Sequence, residues 1–231
     1  MNTPPVSTPA IITAGFVVGL PAEARFLRGC GPIAIGGGTP EGAERAAESL
    51  VADGARALIS FGLAGGLDPT LRPGTLVIPR AVWAAGNLYP TSPTLTAHIA
   101  PPNATVLAAT PAIIATAAAK AALHATSHAA AVDLESGAVA RVATRHSIPF
   151  AVLRAICDPA TRTLPHTALI ALDAHGAIGL TRILASLLRY PQDLPTLLHL
   201  ALDAAAARST LRRTANLLRS KQGSAGSGPR P

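Results

Sequence analysis

Short apolar runs that stop at glycine alternate along this chain with stretches in which apolar residues recur every three or four positions. Ile11 to Gly19 (IITAGFVVG) is rich in β-branched residues and predicts a buried parallel strand, after which Pro21 opens a helical turn through AEARFL. A second short run, Pro32 to Ile35, ends in Gly36, Gly37 and Gly38. Thr39 then caps and Pro40 opens a helix through GAERAAESLVADG, which Gly54 stops. ARALISFG predicts a third strand, closed by a glycine-rich loop from Gly62 to Gly66. TLVIPRAVWAA, VLAAT, AAAVDL and PFAVLRAI predict further strands, with helices over Ile113 to Leu123 and Glu135 to His146. Leu88 to Asn103, rich in proline and threonine, reads as a loop. Strands alternating with helices call for an α/β fold with a mainly parallel sheet covered on both faces. Helical patterns separated by Gly or Pro fill the C-terminal 50 residues.

The chain has 231 residues, 49% of them apolar, 13% charged and 3% aromatic. That length suits one α/β domain with a substantial core, expected over 10–190. No apolar run reaches the roughly 18 residues of a membrane-spanning helix. The first 24 residues hold no Lys or Arg, so the charged start of a signal peptide is missing and the expectation is a cytoplasmic protein. Cys30 and Cys157 lie far apart and outside any ligand spacing, which removes a disulfide scaffold and a structural zinc site; no metal or cofactor is expected.

The net charge of +7 is uneven. Residues 180–231 hold eight basic and two acidic side chains, a net +6, and the first 179 residues carry +1. A basic helical extension over 191–222 and a flexible tail over 223–231 are expected. A near-neutral body with seven aromatic residues and no recognisable binding fold argues against a nucleic-acid partner.

Candidate chemistry gathers at the ends of predicted strands, where open α/β sheets bind ligands. The glycine-rich stretches at 36–38 and 62–66 fit neither a phosphate-binding P-loop nor a dinucleotide fingerprint, and tight turns explain them as well as ligand loops do. Glu23, Glu135 and Asp158 each follow a predicted strand and could converge on one crevice. Each also has a local explanation: Glu23 and Glu135 suit helix N-termini, and Asp158 suits a turn before Pro159.

Four stretches in order carry a resemblance: VGLPAEARFL (18–27), ISFGLAGGLDPTLRPGTLVIPRAV (59–82), AVDLESGAVARVA (131–143) and PFAVLRAICDPA (149–160). From Gly15 to about Pro165 the chain resembles the nucleoside phosphorylase superfamily, specifically the branch containing methylthioadenosine/S-adenosylhomocysteine nucleosidases. Within it, the region DAHGAIGLTRILASLLRYPQDLPTLLHLALDAAAARSTLRR is most similar to hopanoid-associated phosphorylase-like proteins, to which removal of adenine from adenosylhopane is ascribed. The resemblance implies a single three-layer α/β/α domain with a mixed, mainly parallel sheet, C-terminal helices and a homo-oligomer, either a dimer or a larger assembly.

By that resemblance Asp158, in Arg154-Ala155-Ile156-Cys157-Asp158, is the general acid that protonates adenine N7, keeping its proton near neutral pH with the help of burial. Cys157 replaces the usual serine. Glu135 grips the ribose 2′- and 3′-hydroxyls, and Leu134 stands beneath the sugar where methionine is usual. Leu63, Ala64 and Gly65 of the second glycine stretch line the substrate. Ile113 and Ile114 occupy the place of purine-flanking residues, or else pack as ordinary helix positions.

Phosphorylases of the superfamily hold phosphate with two arginines and a Ser/Thr, where this chain has Glu23, Ser60 and Leu63. A dianion there would lack charge-assisted partners, so Glu23 is expected to activate water for hydrolysis. Phosphorolysis, and cleavage of methylthioadenosine or adenosylhomocysteine, are the alternatives. The basic segment 196–219 is either a docked helix with a solvated face or, for a lipid-linked adenosyl nucleoside, a peripheral contact with the inner membrane.

Overall fold

The computed structural model describes residues 14–165, 190 and 194–225. Nine strands form one sheet: β1 (Ala14–Val18), β2 (Ile33–Ile35), β3 (Ala57–Gly66), β4 (Leu76–Val77), β5 (Pro79–Ala84), β6 (Asn87–Pro90), β7 (Ala104–Ala109), β8 (Ala131–Asp133) and β9 (Phe150–Asp158). The helices are α1 (Pro21–Phe26), α2 (Pro40–Ala52), α3 (Pro93–Ile99), α4 (Ala117–Ser127), α5 (Ser136–Arg145) and α6 (Leu194–Ala225). The path β2-β1-β3-β8-β7-β5-β6 forms one edge-to-edge order, and β9 pairs with β3 and β4. Parallel pairs dominate: β1 with β2 and β3, β3 with β9, and β7 with β5 and β8. The expected mixed, mainly parallel α/β fold is what the structure shows.

Apolar strands covered on both sides split their side chains between two cores. Val17, Leu58 and Val152 point to the side of α2 and α5, where Ala43, Ala47, Leu50, Val139 and Val142 complete the cluster. Phe16, Val18, Ile59, Phe61 and Leu153 point the other way, onto Leu95 and Ile99 of α3 and onto α6. Ala207, Leu211, Ala215 and Leu218 of α6, at helical spacing, are buried in that second core. Several basic groups of α6 serve this docking. Arg219 donates to the carbonyls of Arg28 and Phe26 at 3.0 and 2.9 Å, and Arg212 lies 5.6 Å from the Phe26 ring centroid.

Four sequence expectations change. Residues 62–66 are no loop: β3 continues through them, pairing with β9 along one edge and with β8 at Gly65 and Gly66, with a register shift between Ala64 and Gly65. The segment 88–103 contains the rest of β6 and all of α3, whose cap is Ser92 accepting from Leu95 N at 3.2 Å with Pro93 in the first turn. TLVIPRAVWAA is two strands. Leu76 and Val77 pair with β9, whereas β5 pairs with β7, and Asn103 bridges the break by accepting from Ile78 N and donating to Leu76 O. Finally, α4 starts at Ala117 behind a Thr116 cap, so Ile113 and Ile114 precede the helix.

The patterns over 166–189 lie outside the described residues. The last helical pattern is one helix running to Ala225, past Gly223 where the tail was expected. Among the described residues no helix is long and apolar enough to cross a membrane.

Candidate active site

Strand β1 ends at Val18 and α1 begins at Pro21, so the intervening backbone turns its N–H groups toward the first helical turn. Glu23 fills that turn. Its Oε2 accepts from Gly19 N and Leu20 N at 3.0 and 2.9 Å, and its Oε1 accepts from Leu63 N of β3 at 3.0 Å. The side chain is buried, and burial pushes its carboxyl above the usual range despite the Arg154 charge and the three N–H donors.

Arg154, in the middle of β9, is the hub of the site and is 1% exposed. Its Nε lies 2.6 Å from Asp133 Oδ2, and one terminal nitrogen donates to Ser60 Oγ at 2.7 Å and to Glu135 Oε2 at 3.1 Å. Ser136 ties the same group together through Asp133 and Ser60. Burial disfavours the guanidinium charge, but Asp133, Glu135 and Glu23 together outweigh it and hold the group above its ordinary value.

Glu135 sits between β8 and α5. Arg154 takes its Oε2, while its buried Oε1 has no hydrogen-bond partner among the described residues. Burial raises its carboxyl to about 7; Arg154 opposes this, and the neighbouring Glu23 and Asp133 add to it. Oε1 comes so close to Gly19 that a Cβ there would stand 2.7 Å from it. The same holds on β3, where a Cβ at Gly62 would meet Arg154 at 2.4 Å and Glu23 at 2.7 Å. Side-chain volume is therefore excluded where Glu23, Glu135 and Arg154 meet.

Asp158 ends β9 opposite Gly65 of β3, and a Cβ on Gly65 would lie 3.3 Å from its Oδ1. It is buried as expected, but the group that reaches it is a cation. Lys120 of α4 donates to Asp158 Oδ2, and also to the carbonyls of Pro159 at 3.0 Å and Arg162 at 3.1 Å. The Cys157 thiol donates to Oδ1 at 3.5 Å; burial first, then the Asp158 charge, pushes that thiol well above its usual range.

The remaining candidates fall around this centre to differing degrees. Leu63, Ala64 and Gly65 belong to β3, Leu63 through its N–H to Glu23 and Gly65 through its approach to Asp158. Leu134 is half-buried beside Glu135. Ile113 is 40% exposed in the loop before α4, and Ile114 packs with Trp83 and Leu123 against Leu67, Val106 and Val132. Neither isoleucine lies in the helix, and ordinary core packing accounts for Ile114. No cluster of His, Cys, Asp or Glu fit to hold a metal occurs among the described residues.

Arg154, Asp133, Ser60, Ser136 and Lys120 are site residues that motif reading assigns no positive role. The signal for two of them was present: Arg154 is a single charge inside the apolar run PFAVLRAI, and Lys120 a single charge in the alanine-rich IIATAAAKAAL. Beside Ser60, where an arginine is missing from the sequence, Arg154 reaches in from the neighbouring strand.

Two overlapping stretches, residues 30–106 and 94–189, match the family described as the phosphorylase superfamily. The chain belongs to the phosphorylase superfamily. Solved structures agree with the fold of this superfamily member. The 5′-methylthioadenosine/S-adenosylhomocysteine nucleosidase of Helicobacter pylori matches with a TM-score of 0.66 at 15% identity, covering 94% of this chain and 100% of its own. Futalosine hydrolase of the same organism gives 0.66 at 15% identity over 91% of this chain and 97% of its own. The S-adenosylhomocysteine nucleosidase of Streptococcus pyogenes, in complex with 5-methylthiotubericidin, gives 0.65 at 16% identity over 90% and 96%. No curated protein sequence matches the chain.

Proposed function

We propose that this phosphorylase-superfamily member hydrolyses the N-glycosidic bond of an adenosyl nucleoside, releasing adenine, with adenosylhopane as substrate and ribosylhopane as the other product. The observation that carries the reading is the half-satisfied Glu135: Arg154 fixes one carboxylate oxygen and leaves the other buried and unpartnered, as a ribose hydroxyl requires. Asp158 protonates N7 as the bond from C1′ to N9 breaks and its electron pair passes into the purine. Glu23, its carboxyl raised toward the operating pH of a general base, takes a proton from the water that adds at C1′. Two carboxyl groups acting on opposite faces of a glycosidic bond follow the logic of inverting glycosidases.

Water rather than phosphate is favoured by what surrounds Glu23. Its carboxylate already occupies the N–H groups of Gly19, Leu20 and Leu63 that an anion would need, and Arg154 is committed to Asp133, Glu135 and Ser60. A phosphate dianion would meet carboxylates with no uncommitted cation beside them. The nucleoside-cleaving neighbours named above support an adenosyl substrate. Exposed Leu194, Leu198 and Leu202, one helical turn apart on α6, are in keeping with a lipid-linked group on the ribose 5′ carbon and with peripheral membrane contact.

The test measures adenine release from adenosylhopane, methylthioadenosine and adenosylhomocysteine, with and without phosphate. Release from adenosylhopane without phosphate is expected. A strict phosphate requirement overturns hydrolysis, and preference for either of the other substrates overturns the choice of 5′ group.

A further inference from the structure

A buried lysine on α4 stands outside the residues to which the reading above gives a role. Lys120 is 1% exposed, and its three ammonium hydrogens meet three acceptors: Asp158 Oδ2 and the carbonyl oxygens of Pro159 and Arg162. The helix and the loop that leads into it are joined to the same segment twice more. Leu164 N donates to Ala115 O at 2.8 Å, and Ala117 N donates to Thr163 Oγ1 at 3.1 Å. Burying an ammonium costs several kcal/mol, and a residue needed only to fill this space could be apolar. The position of the charge points to the carboxylate it faces.

We infer that Lys120 is a positioning residue for Asp158, turning Oδ2 away from the substrate, leaving Oδ1 to address the base, and holding a positive charge beside the carboxylate that remains once the proton has gone. This rests on the proposed nucleoside cleavage. In that step the proton moves from Asp158 Oδ1 to N7, N9 receives the electron pair of the broken bond, and Asp158 is left as an anion paired with the Lys120 ammonium until solvent returns a proton. The charge favours the transfer itself because it is already in place where negative charge develops. Among the described residues, the Cys157 thiol faces Asp158 from its own strand and β3 presents the backbones of Gly65 and Gly66.

The experiment compares kcat, KM and melting temperature for the parent protein, Lys120→Gln, Lys120→Met and Lys120→Arg on whichever adenosyl substrate the parent cleaves. Glutamine keeps one donor without the charge, methionine keeps the stem, and arginine keeps the charge. The expected result is a kcat about tenfold or more lower in Gln and Met, with KM nearly unchanged. Arginine, which returns the charge, should restore most of that kcat. A lysine that only supports the fold would lower the melting temperature and leave the kcat of the folded protein near the parent value, with no rescue by arginine; that outcome overturns the inference while hydrolysis stands. A parent that releases no base from any of the three substrates overturns the function and the role of Lys120 together. Should methionine unfold the protein, the kcat of the folded glutamine variant decides.

Discussion

Glu135 shows how one side chain divides its work. Arg154 holds Oε2, Oε1 has no hydrogen-bond partner among the described residues, and burial raises the carboxyl to about 7. A ribose diol donates hydrogen bonds and so prefers the ionised form. Nucleoside affinity should therefore rise as pH increases from 6 to 8, with a limiting loss of about tenfold per pH unit below the midpoint; calorimetry with a non-cleavable adenosyl analogue measures it. Affinity that is flat over that range would remove Glu135 from the sugar site. Glu23 acts on the reaction more than on ground-state binding in the proposed mechanism. Glu23→Gln should lower kcat by about 10² to 10⁴ while the analogue's affinity changes little, and so should Asp158→Asn, by single-turnover assay and titration respectively.

The site groups sit at different places along their elements. Glu23 lies in the first turn of α1, where it takes the free N–H groups between β1 and the helix; Arg154 is mid-strand on β9 and Asp158 ends it; Lys120 is the fourth residue of α4. The C-terminal helix contributes to the core. Ala207, Leu211, Ala215 and Leu218 of α6 pack on the sheet face formed by Ile59, Phe61 and Leu153. Leu211→Ala should destabilise the protein by about 2–5 kcal/mol in urea unfolding, because a fully buried side chain leaves a cavity that its neighbours only partly fill. A change below about 0.5 kcal/mol, typical of surface positions, would mean that α6 is not docked in solution.

For the molecule as a whole, charge and apolar surface bear on where it works. Arg212 and Arg219 are engaged with the body through Phe26 and Arg28, whereas Leu194, Leu198 and Leu202 at the other end of α6 are exposed. If α6 meets a membrane, its leucines should dominate and its arginines contribute a smaller, salt-sensitive part. Flotation with anionic and neutral vesicles at low and high salt, comparing the parent with Leu198→Ser/Leu202→Ser, is expected to show binding that the double variant loses. Equal flotation of the two proteins would remove the helix from any membrane role. The strand and helix periodicities were legible in the chain itself, because burial on both faces writes continuous apolar runs and the amphipathic helices repeat every three or four positions. Glu23, Glu135 and Asp158 stand out in the chain as carboxylates that follow strand ends within the stretches that carry the resemblance. What the sequence could not determine is which groups meet across those ends. The continuation of β3 through its glycines, the reach of Arg154 from β9 to Ser60, Asp133 and Glu135, and the seating of Lys120 against Asp158 all join residues distant in the chain. Sequence periodicity records which side of an element is buried; the partner of a buried charge depends on how separate elements pack, and only the tertiary structure decides that.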